Sequence, residues 1–150
     1  MGKINVPKII LGGIVAGILC FIGDGLVHGV LLKERWAQVM AMLGRQQVED
    51  PSHMLYYAVY DLAKGLAGVW LYAAIRPRFG AGPQTGVIAA VVTWFLVIPV
   101  PLLGLIPAGW FGRRFAALWS IEGLVVMVIA IVIGAWLYRE EGVSPVPART

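Results

Sequence analysis

The sequence predicts an all-α, polytopic membrane protein in which four transmembrane helices form an antiparallel bundle. Of its 150 residues, 59% are hydrophobic and only 13% are charged, whereas a soluble domain carries roughly 25% charged residues. A soluble fold of this length could not hide so much apolar side chain, because about a third of its unfolded surface stays exposed. The apolar residues also fall in four long runs, separated by short segments that contain proline, glycine and charge.

Each of the four runs is long enough to cross a bilayer, for which roughly 20 helical residues are needed. The predicted spans cover residues about 7–32, 53–75, 84–106 and 115–138. Asp50-Pro51 has the pattern of an N-cap followed by the first helical residue, and Pro83 separates the second span from the third. We expect residues 1–150 to form one domain with a disordered tail over 141–150.

The segment after the first span has the pattern of a short amphipathic helix. Trp36, Val39, Met40 and Leu43 recur at helical spacing, with polar residues between them. Such a helix lies in the membrane interface with its apolar side towards the lipid. The sequence therefore predicts a short interfacial helix between the first and second spans.

Charge and composition exclude several classes of function. The net charge is +4, but the basic residues are scattered between apolar runs, which suits lipid headgroups rather than nucleic acid. No serine–histidine–acid set, phosphate loop or dinucleotide motif occurs, so we expect neither an enzyme nor a cofactor. The side of the membrane that holds the termini carries six basic residues and the other side carries five, which favours termini in the cytoplasm. The six are Lys3, Lys8, Arg76, Arg78, Arg139 and Arg149.

Five ionisable side chains fall inside the apolar runs: Asp24, His28, Asp61, Lys64 and Glu122. An acid or lysine at mid-bilayer costs about 2.5–3.5 kcal/mol on insertion scales, so such side chains usually face protein or water. Counted along the helices at 1.5 Å per residue, the three carboxylates lie roughly 10–12 Å from the same membrane boundary. The sequence therefore predicts one intramembrane polar cluster.

The predicted cluster contains more acids than bases, and two hypotheses follow. Because burial and repulsion disfavour so many negative charges, the cluster should hold an exchangeable proton or a cation, with Asp61 and Glu122 as its main bearers. In the structural alternative, Lys64 pairs with Asp61, while Asp24 and Glu122 share hydrogen bonds and stay neutral.

Two prolines in the third span, Pro99 and Pro101, predict a kink at the depth of this cluster. Each proline removes a backbone donor and frees a carbonyl about one turn earlier, around Phe95 and Val97. Bare carbonyls beside carboxylates are typical of a cation or proton path.

Glycines at helical spacing predict where helices approach each other most closely. The residues are Gly13, Gly17, Gly25 and Gly29 in the first span and Gly65 and Gly68 in the second. The pairs in the first span are G-x-x-x-G motifs, which allow close helix contact. Because Gly13 and Gly17 share a stripe with Asp24, the acids should lie at a helix–helix seam.

A metal site is a weaker hypothesis for the same region. His28 and His53 both flank the first loop, and Asp24 lies one turn from His28. Two histidines and a carboxylate could bind zinc, copper or iron. The alternative is that His28 is hydrogen-bonded between helices and that His53 only begins the second span.

The stretch Gly29-Val-Leu-Leu-Lys-Glu-Arg-Trp36, together with Gly134-Ala-Trp136 in the last span, resembles a group of small bacterial four-helix membrane proteins that form a domain family of unknown function. In that family the first helix also ends in a short segment that leads to a tryptophan. The resemblance implies the architecture and a bacterial inner (cytoplasmic) membrane location, and it assigns no activity.

Two functions remain open at this level. Small size, sparse loops and glycine stripes favour a non-catalytic accessory or assembly subunit of a larger membrane complex. The carboxylates at matched depth and the double proline favour a proton- or cation-coupled small transporter or channel. In either case the expected partners are the lipid bilayer and other membrane subunits or further copies of the chain, in a homo-oligomer or a larger complex.

Overall fold

The computed structural model describes residues 4–45 and 50–139, and the regular structure in these two ranges is entirely helical. A π-helical segment, Val27–Leu31, continues the first α-helix directly. The predicted tail, 141–150, lies outside the described residues. The α-helices are α1 (Val6–Leu26), α2 (Lys33–Met42), α3 (Pro51–Phe79), α4 (Pro83–Val97), α5 (Pro99–Leu105) and α6 (Arg113–Trp136).

Four stretches of helix are long and apolar enough to cross a membrane, as the sequence predicts. They are Val6–Leu31, Pro51–Phe79, Pro83–Leu105 and Arg113–Trp136. The second is longer than predicted at both ends, and it continues through Pro77 to Phe79. Pro77 removes the backbone N–H that would otherwise donate to the Ala73 carbonyl. Arg76 and Arg78 in the same turn interact favourably with the negative end of the helix dipole.

Two of the long helices begin with a side-chain cap followed by proline. The Asn5 side chain accepts a hydrogen bond from the Lys8 backbone N–H, 3.1 Å away, at the start of α1. The Asp50 carboxylate accepts one from the Ser52 N–H, 2.8 Å away, at the start of α3. Proline fits in the first turn because its missing N–H would have had no partner there.

Glycine allows α1 to pack closely against two helices at once. A Cβ atom on Gly65 of α3 would overlap the backbone of Gly13 and Gly17 of α1. On another side of α1, a Cβ atom on Gly12 would overlap the Gly134 carbonyl of α6. The predicted seam at Gly13, Gly17 and Gly65 is therefore a helix–helix contact, and Gly12 with Gly134 forms a second one that the sequence analysis missed.

Gly25 and Gly29 make no such contact within the described residues. Both are exposed, and no atom of the described part of the chain lies within 4 Å of a Cβ atom placed on either. Each glycine directly follows an ionisable residue, Asp24 or His28, so it points about 100° away from that residue around the helix. Gly68 does pack closely, but its neighbour is the Ile131 side chain of α6.

The outward faces of α1 and α6 are apolar stripes. On α1, Ile14, Ile18 and Ile22 are exposed, and on α6, Ile121, Val125 and Ile129 are exposed by 53–62%. Both stripes repeat every four residues, on the side of the helix that faces away from its neighbours. Contiguous apolar surface of this extent is rare on soluble monomers. Together with the four long apolar helices, it suggests a membrane protein.

The third apolar run is interrupted rather than merely kinked. Helix α4 ends at Val97, α5 begins at Pro99, and Ile98 between them has φ −120° and ψ −68°. Neither Pro99 nor Pro101 can donate a backbone hydrogen bond into the preceding turn. The double proline therefore ends one helix and starts another within the same apolar stretch.

Candidate functional site

Lys64 lies at the centre of a buried ion triad. Its Nζ atom is 2.5 Å from Asp24 Oδ2 and 2.6 Å from Asp61 Oδ1. The Lys64 and Asp61 side chains are only 2% and 4% exposed, whereas Asp24 keeps 17% of its surface exposed. Since Asp24 belongs to α1 and the other two residues to α3, the triad ties these helices together.

The glycine seam explains why the triad forms at this level. Gly65, next to Lys64 in the chain, is the residue that contacts the backbone of Gly17. A Cβ atom on Gly17 would in turn lie 2.7 Å from Leu62 Cα and 3.2 Å from the Asp61 carbonyl oxygen. The closest approach of α1 and α3 is therefore adjacent to the triad, which allows a lysine of one helix to reach a carboxylate of the other.

Tyr60 connects the triad to the interrupted helix. The Lys64 ammonium lies 4.8 Å from the centroid of the Tyr60 ring, a cation–π contact. The Tyr60 hydroxyl donates a hydrogen bond to the Val97 carbonyl oxygen at 3.2 Å. Val97 is one turn before Pro101, so this is one of the carbonyls that the prolines free. The expectation that it would be bare was wrong, because a tyrosine of α3 satisfies it.

A groove of about 410 Å³ lies beside the interruption. Its walls include Tyr60 of α3, Ile98 and Pro101 at the break, and Trp119 of α6, and they are mainly apolar.

His28 and Glu122 form a second polar cluster, between α1 and α6. His28 Nε2 lies 2.7 Å from Glu122 Oε1. The indole Nε1 of Trp36, at the start of α2, donates a hydrogen bond to His28 Nδ1 at 3.0 Å. The His28 and Glu122 side chains are 20% and 13% exposed. Both nitrogens of the imidazole ring therefore have a partner, one from α2 and one from α6.

Aromatic side chains pack around this second cluster. The Trp36 ring lies 4.9 Å from Phe115, 5.6 Å from Trp119 and 5.9 Å from Phe111, in edge-on arrangements. Trp119 also meets the His28 ring at 5.6 Å, nearly at right angles. Aromatic pairs prefer such geometry, and each adds about 0.5–1.5 kcal/mol beyond its buried area. The contacts fix α2 against the start of α6.

The five ionisable residues singled out in the sequence therefore lie in two adjoining clusters. Asp24, Asp61 and Lys64 form one cluster, and His28 and Glu122 form the other, one turn further along α1. The structural alternative, in which Asp24 and Glu122 share hydrogen bonds, differs from this arrangement because Glu122 faces His28. The π-helical segment begins at Val27, between Asp24 and His28. The π-helical turn is wider than an α-helical turn. Asp24 meets Lys64 of α3, whereas His28 meets Glu122 of α6.

Sequence reasoning missed two residues of this region, Trp36 and Tyr60. Trp36 follows His28 by eight residues, about two helical turns, so a continuous helix would have put both on one side. That spacing was the signal for the hydrogen bond. Tyr60 offered no comparable signal, because its partner, the Val97 carbonyl, lies 37 residues later in the chain.

Negative charge is in excess in the two clusters taken together. An indole N–H can only donate, so the Trp36 contact leaves His28 Nδ1 as an acceptor and the ring neutral. Lys64 is then the one cation among these five groups, against the carboxyl groups of Asp24, Asp61 and Glu122. Asp24 Oδ1 and both carboxyl oxygens of Glu122 are also buried without a hydrogen-bond partner in the described part of the chain, the contact of Glu122 Oε1 with His28 being a close approach only. Such oxygens can accept a proton or contact a cation.

The geometry does not assemble the metal site considered for His28, His53 and Asp24. Both ring nitrogens of His28 are engaged by Trp36 and Glu122. His53 is exposed in the first turn of α3. Within residues 4–45 and 50–139, no three side chains of histidine, cysteine, aspartate or glutamate come together as a metal would need.

Comparisons with protein-family models, with curated proteins and with solved structures give no match to this chain. The function is therefore argued from the two polar clusters.

Proposed function

We propose that the protein is a small proton- or cation-coupled transporter or channel that uses its intramembrane carboxylates. In this proposal the four long helices form an antiparallel bundle in a bacterial inner membrane, with both termini in the cytoplasm. The observation that carries the proposal is that Asp24 keeps one buried carboxylate oxygen, and Glu122 both of its oxygens, without a hydrogen-bond partner in the described residues.

The charge balance supports an exchangeable ion. With one ammonium group and three carboxyl groups, full ionisation would leave a net charge of about −2 in a poorly solvated region. The hydrogen-bonded Lys64 neutralises the triad only in part. A proton or a cation on Asp24 or Glu122 relieves the remainder.

The exposed fraction differs among the five ionisable side chains in a way that suits an ion path. His28, Glu122 and Asp24 keep 13–20% of their side-chain surface exposed, whereas Lys64 and Asp61 keep 2% and 4%. An ion that arrives from outside would meet Glu122 or Asp24 first. The sealed Lys64–Asp61 pair is then the fixed part of the site, and the outer carboxyl groups are the exchanging part.

Two irregular backbone segments flank the same level. The π-helical segment Val27–Leu31 contains His28, and the helix break at Ile98 lies beside Tyr60. Such π segments occur frequently at functional sites. Unwound helices near charged groups are typical of transporters, where they allow one part of the protein to move.

The test is transport by the purified protein in liposomes that contain a pH-sensitive dye. After a membrane potential is imposed, we expect the wild-type protein to carry protons faster than empty liposomes do. Glu122→Gln and Asp24→Asn should return the rate to that of empty liposomes. The matched control is Glu34→Gln, which changes an exposed acid of α2 and should leave the rate unchanged.

A second arm of the experiment separates protons from other cations. With pH clamped on both sides, the same liposomes are loaded with Na⁺ or K⁺, and uptake is followed for each ion. Loss of uptake in Glu122→Gln assigns the coupling to that cation. The proposal fails if wild-type liposomes carry neither protons nor cations, or if both carboxamide variants carry them as the wild type does.

One observation favours the other function, an accessory or assembly subunit. The first ten residues of α3 are almost all exposed, with Leu55, Tyr56 and Tyr57 at 68%, 73% and 59%. Another subunit could cover this aromatic surface. Purification in mild detergent should then retain a constant set of partners, which Tyr56→Ser/Tyr57→Ser would lose and Trp136→Ser, at the far end of α6, would keep. A homo-oligomer that carries ions by itself would contradict this function.

A further inference from the structure

Trp36 joins α2 to the polar clusters through a hydrogen bond. Its indole Nε1 lies 3.0 Å from His28 Nδ1, and Phe111, Phe115 and Trp119 hold the indole ring from other sides. The ring packing alone would fix α2 in place. The hydrogen bond has a further effect, because it determines which nitrogen of the His28 ring carries the proton.

The indole nitrogen has one proton to give and no lone pair to accept with. His28 Nδ1 must therefore be unprotonated while the contact exists, and the neutral ring carries its single proton on Nε2. That nitrogen lies 2.7 Å from Glu122 Oε1. The contact is a close approach rather than an aligned hydrogen bond, because both carboxyl oxygens of Glu122 are buried without a hydrogen-bond partner in the described residues.

We propose that Trp36 is a positioning residue for Glu122: by donating to His28 Nδ1, it fixes the ring in the form protonated on Nε2, the nitrogen that lies beside Glu122. This inference rests on the proposed function, in which Glu122 exchanges the ion. When the indole leaves Nδ1, the ring proton can move to that nitrogen, and Nε2 then presents a lone pair to Glu122 instead of an N–H group. The position of α2 thus decides which form of His28 faces the exchanging carboxyl group.

The surroundings of His28 are consistent with this role for a single tryptophan. On its own helix the nearest ionisable group of the clusters is Asp24, which already binds Lys64 of α3. From α6 it meets Glu122 and the edge of Trp119, and from α2 it meets Trp36. Of these groups only the indole contacts Nδ1, so replacing its N–H leaves that nitrogen without a partner.

The experiment is nitrogen NMR of the full-length protein, labelled with ¹⁵N in the histidine rings, in detergent micelles. The chain has two histidines, and the His53→Gln variant identifies the signals of His28. A protonated ring nitrogen and an unprotonated one resonate in well-separated regions. At neutral pH we expect one of each in the wild type, with the proton on Nε2.

Trp36→Phe keeps an aromatic ring in the cluster and removes the N–H group. At the same pH, Nδ1 of His28 has lost its donor in this variant, so the ring proton should no longer be confined to Nε2 and the wild-type pattern should change. Trp136→Phe, which changes a residue that is 85% exposed, should leave the wild-type pattern unchanged. A merely structural role for Trp36 would change stability without changing the protonation of Nδ1.

Two results would overturn the inference. One is a wild-type spectrum in which Nδ1 of His28 is protonated, a result that does not depend on the folding of any Trp36 variant. The other is a folded Trp36→Phe variant with the wild-type pattern. Absence of ion transport with the expected spectra would instead overturn the proposed function and leave the effect of Trp36 on His28 standing.

Discussion

The ammonium group of Lys64 lies 2.5 Å from a carboxylate oxygen of Asp24, a residue forty positions earlier in the chain. The same ammonium group lies 2.6 Å from Asp61, one turn before it in α3. A single buried cation therefore serves two carboxylates from two helices. The contact between α1 and α3 therefore combines this ion pair with the close packing of Gly65 against Gly13 and Gly17.

Replacing Lys64 with methionine should destabilise the protein strongly. Methionine fills similar volume, but it leaves Asp24 and Asp61 buried beside each other without a cation. Breaking a buried pair by removing one partner costs about 3–5 kcal/mol, and we expect a loss of free energy of unfolding in that range. Reversible unfolding by SDS in mixed micelles, followed by circular dichroism, measures it.

The matched control removes the whole triad, as Asp24→Leu/Asp61→Leu/Lys64→Met. Because no unpaired charge remains, most of the stability lost in the single variant should return. A single variant as stable as the wild type would mean that Lys64 does not compensate these carboxylates.

Gly65→Ala should force α1 and α3 apart. The new Cβ atom would overlap the backbone of Gly13 and Gly17, which cannot move aside as a side chain could. Overpacking typically costs about 1–3 kcal/mol, and we expect a loss of at least this size in the same unfolding measurement.

Gly104→Ala provides the control for helix propensity. Gly104 lies in α5 with nothing within 4 Å of a new Cβ atom, so alanine should be neutral or stabilise the helix by up to about 1 kcal/mol. Equal effects at Gly65 and Gly104 would contradict the close contact of α1 and α3.

Tyr60→Phe should weaken the connection between α3 and the helix break. Loss of the hydroxyl leaves the Val97 carbonyl without this donor, and a typical intramolecular hydrogen bond contributes about 0.5–1.5 kcal/mol. Faster hydrogen exchange around Pro99 would locate the effect. Tyr56→Phe, at a 73% exposed tyrosine of the same helix, should have no such effect, and similar exchange in both variants would speak against the contact.

Asp50 should make the first turn of α3 sensitive to acid. The hydrogen bond from the Ser52 backbone N–H lowers the pKa of Asp50 below its ordinary value of 3.8. A lowered pKa means that the folded state favours the carboxylate. The cap is therefore fully present above the ordinary value and is lost as pH falls through the lowered pKa.

Hydrogen exchange of the amides at the start of α3 measures this cap. At neutral pH, Asp50→Ala should exchange faster there than the wild type, and Asp50→Asn should stay close to the wild type because asparagine also caps helices. If alanine leaves the exchange unchanged, the side chain of Asp50 is not the cap.

The helices could be predicted from the sequence because the causes are local. An apolar run of about 20 residues predicts a span wherever it occurs, and Asp50-Pro51 marks a helix start whatever lies around it. The same holds for Pro99 and Pro101, which remove backbone donors in any setting. The residues that carry charge at depth were also visible, because each interrupts an apolar run.

The sequence by itself thus determined four long apolar helices, their approximate ends and the five ionisable residues placed within them. Only the tertiary structure decided which groups meet: Lys64 with Asp24, Glu122 with His28, and the Val97 carbonyl with Tyr60. It also left Gly25 and Gly29 outside the close helix contacts of the described residues. The physical reason is that these contacts depend on the rotation and separation of whole helices. Those are set by close packing at glycines and by a π-helical turn, which the spacing along one helix does not reveal.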